Sequence, residues 1–394
     1  MHDAILVINS GSSSIKFAVY LCDKADDLHC CFRGQVSDIG TRARLTVTET
    51  DSQPKGQTSA KPVSAADHAQ ALQYIFDWLA ENSSDLNLTG VGHRVVHGGR
   101  RFTRSVRVDG QVLDALTALV PLAPLHQPHA LHAIDALQRQ QPQLVQVACF
   151  DTAFHADMPD HEQRFAIPRA LEQQGIRRYG FHGLSYEYIA SVLPEYLGER
   201  ANGKVVVAHL GHGVSMCAMR QRRSIATTMS FTPLDGLPMA RRSGAIDPAI
   251  VLYLLDQGMP ATEIGELLHR RSGLLGMSGI SDDMQTLLAS EEPAAAEAIG
   301  YFCYRIGREL GSLAAALAGL DALVFTGGIG ERAAPVRAQI CEAANWLGVR
   351  IDEQANQRDA MDITARDSQV AVRVIPTDEE SIIARHTLTT IRGS

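Results

Sequence analysis

The chain has 394 residues, enough for two domains that each bury a core. It is 45% hydrophobic and 20% charged, as globular proteins are, and its formal net charge of −8 argues against nucleic acid or an anionic membrane as the main partner. Seven cysteines, an odd number without a C-x-x-C pair, predict free thiols in a reducing, cytoplasmic setting.

The N-terminus enters a strand directly, so no signal peptide is expected. Ala4–Ile8 and Ile15–Tyr20 are apolar, β-prone runs around Asn9-Ser-Gly-Ser-Ser-Ser14, which predicts a hairpin. Four hydroxyls, a glycine and nearby Lys16 suit either a phosphate cradle or an ordinary Ser-rich turn. Leu28–Ile39 and Arg44–Thr50 read as further strands, and the polar stretch Asp51–Lys61 as a loop. Ser64 is expected to cap a helix through about Glu81. A short strand over Val91–Gly99 ends in glycines and carries Arg94.

His126, His129 and His132 fall three apart, but Pro128 is expected to interrupt a helix there. No Cys or carboxylate accompanies them, so a metal site is disfavoured against a substrate-facing or packed role. Ala133–Gln140 continues as helix. The apolar run Leu144–Phe150 predicts a buried strand ending at Asp151, where α/β folds place ligand chemistry; a turn or cap role is the alternative. Phe181 and His182 lie in a Gly-flanked loop ahead of a helix over Ser185–Leu197.

Lys204–Met219 repeats the opening pattern of strand, Gly-rich turn and strand, with Gly211 matching Gly11 and His209 matching Asn9. Two such hairpins half a chain apart predict a duplicated domain with a nucleotide in the cleft between the halves. Thr227–Asp247 is a long Gly/Pro loop with Arg241 and Arg242, followed by a helix capped by Asp247. Helices are expected at about Glu263–Arg270 and Ala294–Leu320; the latter is too charged to span a membrane. The strand Ala322–Thr326 runs into the turn Gly327-Gly-Ile-Gly330, ahead of a helix over Pro335–Leu347. Val370–Pro376 is the last strand before Asp378-Glu379-Glu380 and a final helix.

Taken in order, INSGSSSIKF, GHRVVHGG, FDTAFH, YGFHG, HLGHGVS, FTPLDGLPM, RSGAIDP, TGGIGE and IPTDEE resemble the acetate kinase family over nearly the whole chain. The resemblance implies a duplicated two-domain α/β fold of the actin-like ATPase (acetate and sugar kinase/heat-shock chaperone/actin) superfamily, with an interdomain cleft. It implies an N-terminal domain over 1–150, completed by the C-terminal helix at about 380–394. The second domain, over 151–379, would hold the nucleotide site and the dimer interface.

It further implies a homodimer, ATP as co-substrate, Mg²⁺ with Mn²⁺ as the alternative, and reversible phosphoryl transfer between ATP and acetate. By resemblance Asp151, His182, Arg242, Arg94 and His126 are catalytic. Arg94, Val96, Leu125, Phe181 and Pro233 form the acetate pocket. Asn9 and Glu379 organise the metal, with Asp151. The nucleotide contacts are Ser12, Ser14 and Lys16 in the first turn, His209, Leu210, Gly211, His212 and Gly213 in the second, Asp283, Met284 and Gln285, and Gly328, Ile329, Gly330, Glu331 and Arg332.

Each of these residues also has a structural reading alone: Arg94 as an ion pair, Glu379 as a helix-start carboxylate, Val96 as core. Their joint order is what outweighs it. Val96 favours acetate over propionate, since a branched wall excludes a methylene worth about 1–3 kcal/mol. A propionate or other short-chain acyl kinase, a relative with an altered phosphoryl donor, and one without turnover are the alternatives. The departures from the family pattern gather on the nucleotide side. His212 stands for Asn, Ala240 for Gly, Arg241 for Thr, Gln285 for Arg and Arg332 for Asn. The expectation is that acyl phosphate chemistry persists while nucleotide affinity or preference has shifted.

Overall fold

The computed structural model describes residues 2–22, 28–50, 58–83 and 85–393. The chain divides into two compact units, one from Met1–Ala153 with Asp378–Ser394, the other Phe154–Thr377.

The first unit is built on an eight-stranded sheet. Its strands are β1 (His2–Ser10), β2 (Ile15–Cys22), β3 (Leu28–Ser37), β4 (Arg44–Glu49), β5 (Thr58–Pro62), β6 (Leu86–Val95), β7 (Val106–Arg107) and β8 (Val145–Phe150), in the order β5-β4-β3-β2-β1-β6-β8-β7. β1 is central, and Ala4–Ile8 are all buried, as an unbroken apolar run requires of a strand covered on both faces. One side is covered by α1 (His68–Asn82) and α3 (Gln127–Gln140), whose Leu72, Ile75, Ala133 and Leu137 join Ala4, Leu6 and Ile8 in one core; α2 (Gly110–Thr117) precedes α3. The C-terminal helix, Glu379–Arg392, packs on β1, β6 and β8. It comes close because β6 carries Gly90 and Gly92: a Cβ there would run into Ile391, Thr387 and Ile383 of that helix.

Four local expectations are corrected. α1 is capped by Asp67, which accepts from Gln70 N at 2.9 Å, so the helix starts later than Ser64. Pro128 does not interrupt a helix; it lies in the first turn of α3, where a proline loses no hydrogen bond. Thr58–Pro62 is a fully exposed edge strand paired antiparallel with β4; the rest of the expected loop, 51–57, lies outside the described residues. β6 begins at Leu86, five residues before the expected start.

The second unit repeats the plan. β9 (Lys204–Leu210), β10 (Val214–Arg220), β11 (Arg223–Thr227), β12 (Ala322–Thr326) and β13 (Ala371–Val374) are ordered β11-β10-β9-β12-β13. In both sheets a hairpin strand is flanked by two antiparallel neighbours in sequence and then by parallel strands: β3-β2-β1-β6-β8 against β11-β10-β9-β12-β13. The hairpin turns close alike, Gly11 N donating to Ser14 O at 2.8 Å and Gly211 N to Gly213 O at 3.0 Å. The predicted duplication is thus visible strand for strand.

Among the helices, α4 (Asp160–Gln163), α5 (Arg169–Gln173) and α6 (Gly183–Leu197) precede the sheet. α7 (Pro248–Asp256), α8 (Ala261–Arg270), α9 (Gly273–Ser278), α10 (Met284–Leu288) and the 25-residue α11 (Pro293–Leu317) lie between β11 and β12. α12 (Gly327–Arg332), α13 (Ala334–Ala343) and α14 (Glu353–Gln357) follow β12. The expected glycine turn after β12 is therefore the first turn of a helix. Thr227–Asp247 contains no helix or strand beyond the end of β11, and Asp247 caps α7 by accepting from Ala249 N. None of the seven cysteines is in a disulfide. Among the described residues no helix is long and apolar enough to cross a membrane.

Candidate active site

In the first unit, four predicted residues converge. Arg94 near the end of β6 donates through Nε to Asp151 Oδ1 at 3.0 Å and through Nη2 to Asp151 Oδ2 at 2.7 Å. Its Nη1 reaches Asn9 Oδ1 at 3.4 Å, and Glu379 Oε2 lies 3.7 Å from Nε. The topology makes this meeting. β6 and β8 are parallel neighbours, and Asp151, just beyond β8, donates its N–H to Val95 O at 3.1 Å. Asn9 lies next to the end of β1 on the other side of β6, and Glu379 opens the helix that Gly90 and Gly92 admit.

Burial pushes the Glu379 carboxyl above the usual range; Arg94 pulls it down, and Asp151 pushes it up again. Burial likewise works against the Arg94 charge, but Asp151 and Glu379 outweigh it and hold the guanidinium protonated. The C-terminal helix start is itself clamped: Asp378 accepts from Ser381 N at 3.1 Å, from Arg33 Nη2 at 2.5 Å and from Tyr20 OH at 3.3 Å.

Nearby, Val96 is buried, and Leu125 and His126 are half-buried just ahead of α3. Gln127 ties that entry to the strand end, accepting from His97 N at 3.1 Å and donating to His97 O at 3.0 Å. His129 stacks on His68 with ring centroids 5.6 Å apart, and among the described residues no three His, Cys, Asp or Glu form a metal-holding group. Ser12 and Lys16 are exposed and Ser14 half-buried; Lys16 pairs with Asn9 across the hairpin.

In the second unit, His182 precedes α6 in the left-handed region, φ 57°. Its ring stacks on His209, centroids 4.4 Å apart, and its Nδ1 lies 2.8 Å from Ser215 Oγ. Ser215 Oγ is also 2.5 Å from the buried Tyr186 hydroxyl, whose ionisation burial disfavours strongly. A consistent proton order has Tyr186 donating to Ser215, Ser215 to His182 Nδ1, and the His182 proton on Nε2. His209 is held by Ser185, Oγ to Nδ1 2.8 Å. The backbone beneath His182 is fixed by the fully buried His155, which donates from Nε2 to Phe181 O at 3.0 Å and accepts from Ser224 at Nδ1, 2.8 Å. Phe181 is itself buried. Arg242 Nη1 donates to Pro233 O at 2.9 Å and touches Met239 Sδ at 3.4 Å.

A cavity of about 570 Å³ opens beside the second glycine turn. Eight of the predicted nucleotide residues line it: Gly211, His212, Asp283, Met284, Gln285, Gly328, Ile329 and Arg332. Ala240, Asp282, Leu288 and Ala333 complete the wall. Sequence reading passed over Asp282, for which the only signal was its place beside Asp283. The other predicted nucleotide residues in this unit, His209, Leu210, Gly213, Gly330 and Glu331, do not line it. Leu210 is fully buried, and Glu331 Oε1 accepts from Gly327 N at 3.0 Å and Thr377 N at 3.3 Å.

The repeated sheet, with a glycine turn in each copy, is the actin-like ATPase fold. The structure superposes on a propionate kinase from Francisella tularensis with a TM-score of 0.91 at 37% identity, covering 98% of this chain and 99% of that one. It superposes on an acetate kinase from Porphyromonas gingivalis with a TM-score of 0.87 at 34% identity, covering 99% and 100%. In sequence, the chain is 54% identical to an acetate kinase of Rhodopseudomonas palustris over 98% of both chains, and 47% identical to one of Rhizobium meliloti over 99% and 98%. The family model described as the acetokinase family matches residues 4–385. The chain belongs to the acetokinase family.

Proposed function

We propose that the chain is an acetate kinase, transferring a phosphoryl group directly and reversibly between ATP and acetate. The observation that carries this is the Arg94–Asp151–Glu379–Asn9 cluster, in a chain that belongs to this family. Acetate is already ionised at neutral pH, so no strong base is required; the work is positioning and neutralising charge on the transferred group. Arg94 holds carboxylate or phosphoryl oxygens, oriented by Asp151. His182 donates from Nε2, its other nitrogen being held by Ser215, and Arg242 supplies a second guanidinium from a loop pinned at Pro233. The cavity beside Gly211 takes the nucleoside.

Mg²⁺ suits the residues present. Glu379 and Asn9 are hard oxygen donors beside a second carboxylate, and Mg²⁺ is characteristically held by one or two carboxylates plus substrate phosphates and water. Bound there, it would neutralise phosphate charge. Val96, buried just past the end of the Arg94 strand, favours acetate. The likeness to a propionate kinase gives the second reading, a longer acyl acceptor.

The partner surface we propose is α7. None of its residues is buried, while Leu252 and Tyr253 are each 62% exposed and Ile250 and Leu255 more than 40%. A second copy of the chain is the expected occupant.

The test is trapping of acyl phosphate by hydroxylamine, with acetate or propionate as acceptor and ATP, GTP or pyrophosphate as donor. Acetate with ATP should give the highest kcat/KM; failure to trap product with any donor would overturn the reading.

A further inference from the structure

His212 and Arg241 meet at one carboxylate oxygen. Asp282 Oδ2 accepts from Arg241 Nε at 2.6 Å and lies 3.3 Å from His212 Nε2. Three segments distant in sequence are joined there: the turn between β9 and β10, the loop that carries Arg242, and the segment leading into α10. The backbone joins two of these segments, Ala240 N donating to His212 O at 3.4 Å, and the Arg242 loop closes on itself through Met239 N to Arg242 O at 3.0 Å. Asp282 is largely covered, its side chain 19% exposed, whereas those of Arg241 and His212 are 53% and 74% exposed. Burial raises the Asp282 carboxyl, but the hydrogen bond and charge of Arg241 outweigh it and hold the group ionised.

Ion pairs with cations this exposed add little to stability. What they can add is placement. Asp282 lies in the cavity wall, and Arg241 is one residue from Arg242. We propose that Asp282 is a positioning residue that ties the wall of the nucleotide cavity, through Arg241, to the loop carrying Arg242. This rests on the nucleotide reading of the cavity given above. A nucleoside packed on the wall steadies Asp282, and the steadied carboxylate holds the loop from which Arg242 reaches the transferring group. Binding energy from a remote part of the substrate is thereby spent on orientation at the reacting centre.

Steady-state kinetics and ATP binding of Asp282→Ala, Asp282→Asn, Arg241→Ala and the Asp282→Ala/Arg241→Ala double variant test this. Asp282→Ala should lower kcat about tenfold or more, with KM for acetate and Kd for ATP within about twofold and the thermal midpoint unchanged. Asp282→Asn, which keeps the acceptor oxygen, should recover part of the rate. Arg241→Ala should match Asp282→Ala, and the double variant should lose no more than either. Unchanged kcat, a loss confined to ATP binding, or losses that multiply in the double variant would overturn the proposal. Failure of the underlying reading looks different: the unaltered chain would make no acetyl phosphate from ATP.

Discussion

Arg94, near the end of β6, and Asp151, just beyond its parallel neighbour β8, share two hydrogen bonds, of 3.0 and 2.7 Å. A planar guanidinium meets both oxygens of one carboxylate, a geometry that a lysine cannot reproduce. Arg94→Lys keeps the charge and loses the fork. It should lower kcat about 100-fold while leaving the fold intact, measured by steady-state kinetics alongside circular dichroism. A variant with near-normal kcat would make the pair structural.

Val96 tests acyl selection. Val96→Ala removes two methyls from a buried position. The ratio of kcat/KM for acetate over propionate should fall by about tenfold, one methylene's worth of exclusion. An unchanged ratio would return Val96 to plain core.

Gly273 opens α9 with φ +64°, and a Cβ there would collide with the Met239 carbonyl and the Arg242 backbone. Gly273→Ala strains its own backbone and displaces the loop that places Arg242. It should cost about 2 kcal/mol of stability or more and reduce kcat. Urea unfolding and kinetics on the same sample check both.

Three buried histidines give a pH dependence of stability. Burial pushes His93, His97 and His155 down to about 4, with Gln146 opposing this at His93 and the Phe181 carbonyl opposing it at His155. Between that value and the ordinary 6.5 the unfolded chain binds more protons than the folded one, so stability is full above pH 6.5 and is lost as pH falls towards 4. Each histidine contributes roughly 3 kcal/mol across that window. Unfolding free energies at pH 7, 5.5 and 4.5 should fall steadily; a flat profile would contradict the assignment.

α7 predicts an assembly. Leu252→Asp with Tyr253→Asp should convert a dimer to a monomer in sedimentation velocity, because a carboxylate on an apolar contact leaves a charge without water. A monomeric unaltered chain would remove the proposal.

Much of this was legible in the residues. Both hairpins could be read because apolar runs broke at Gly and Ser, and Asp151 because it ends an apolar strand. The cap of α1 was misplaced because Ser64 and Asp67 are both good N-caps, and only the chain's path into the helix chooses between them. The helix opening at Gly327 is hidden because glycines there argue for a turn; only Gly327, at φ +78° and with the Leu210 backbone where a Cβ would go, needs to be glycine. Asp282 was illegible for a deeper reason. Its partners lie 41 and 70 positions away, and no local pattern encodes a pairing made by three loops meeting.

On the proposed reading the phosphoryl group passes directly from nucleotide to acetate, with the protein steadying the group and forming no bond to it. The decisive measurement is the configuration at phosphorus after transfer from ATP made chiral at the γ-phosphate with oxygen isotopes. A single in-line displacement predicts inversion; retention would require a phosphorylated residue and would contradict the account.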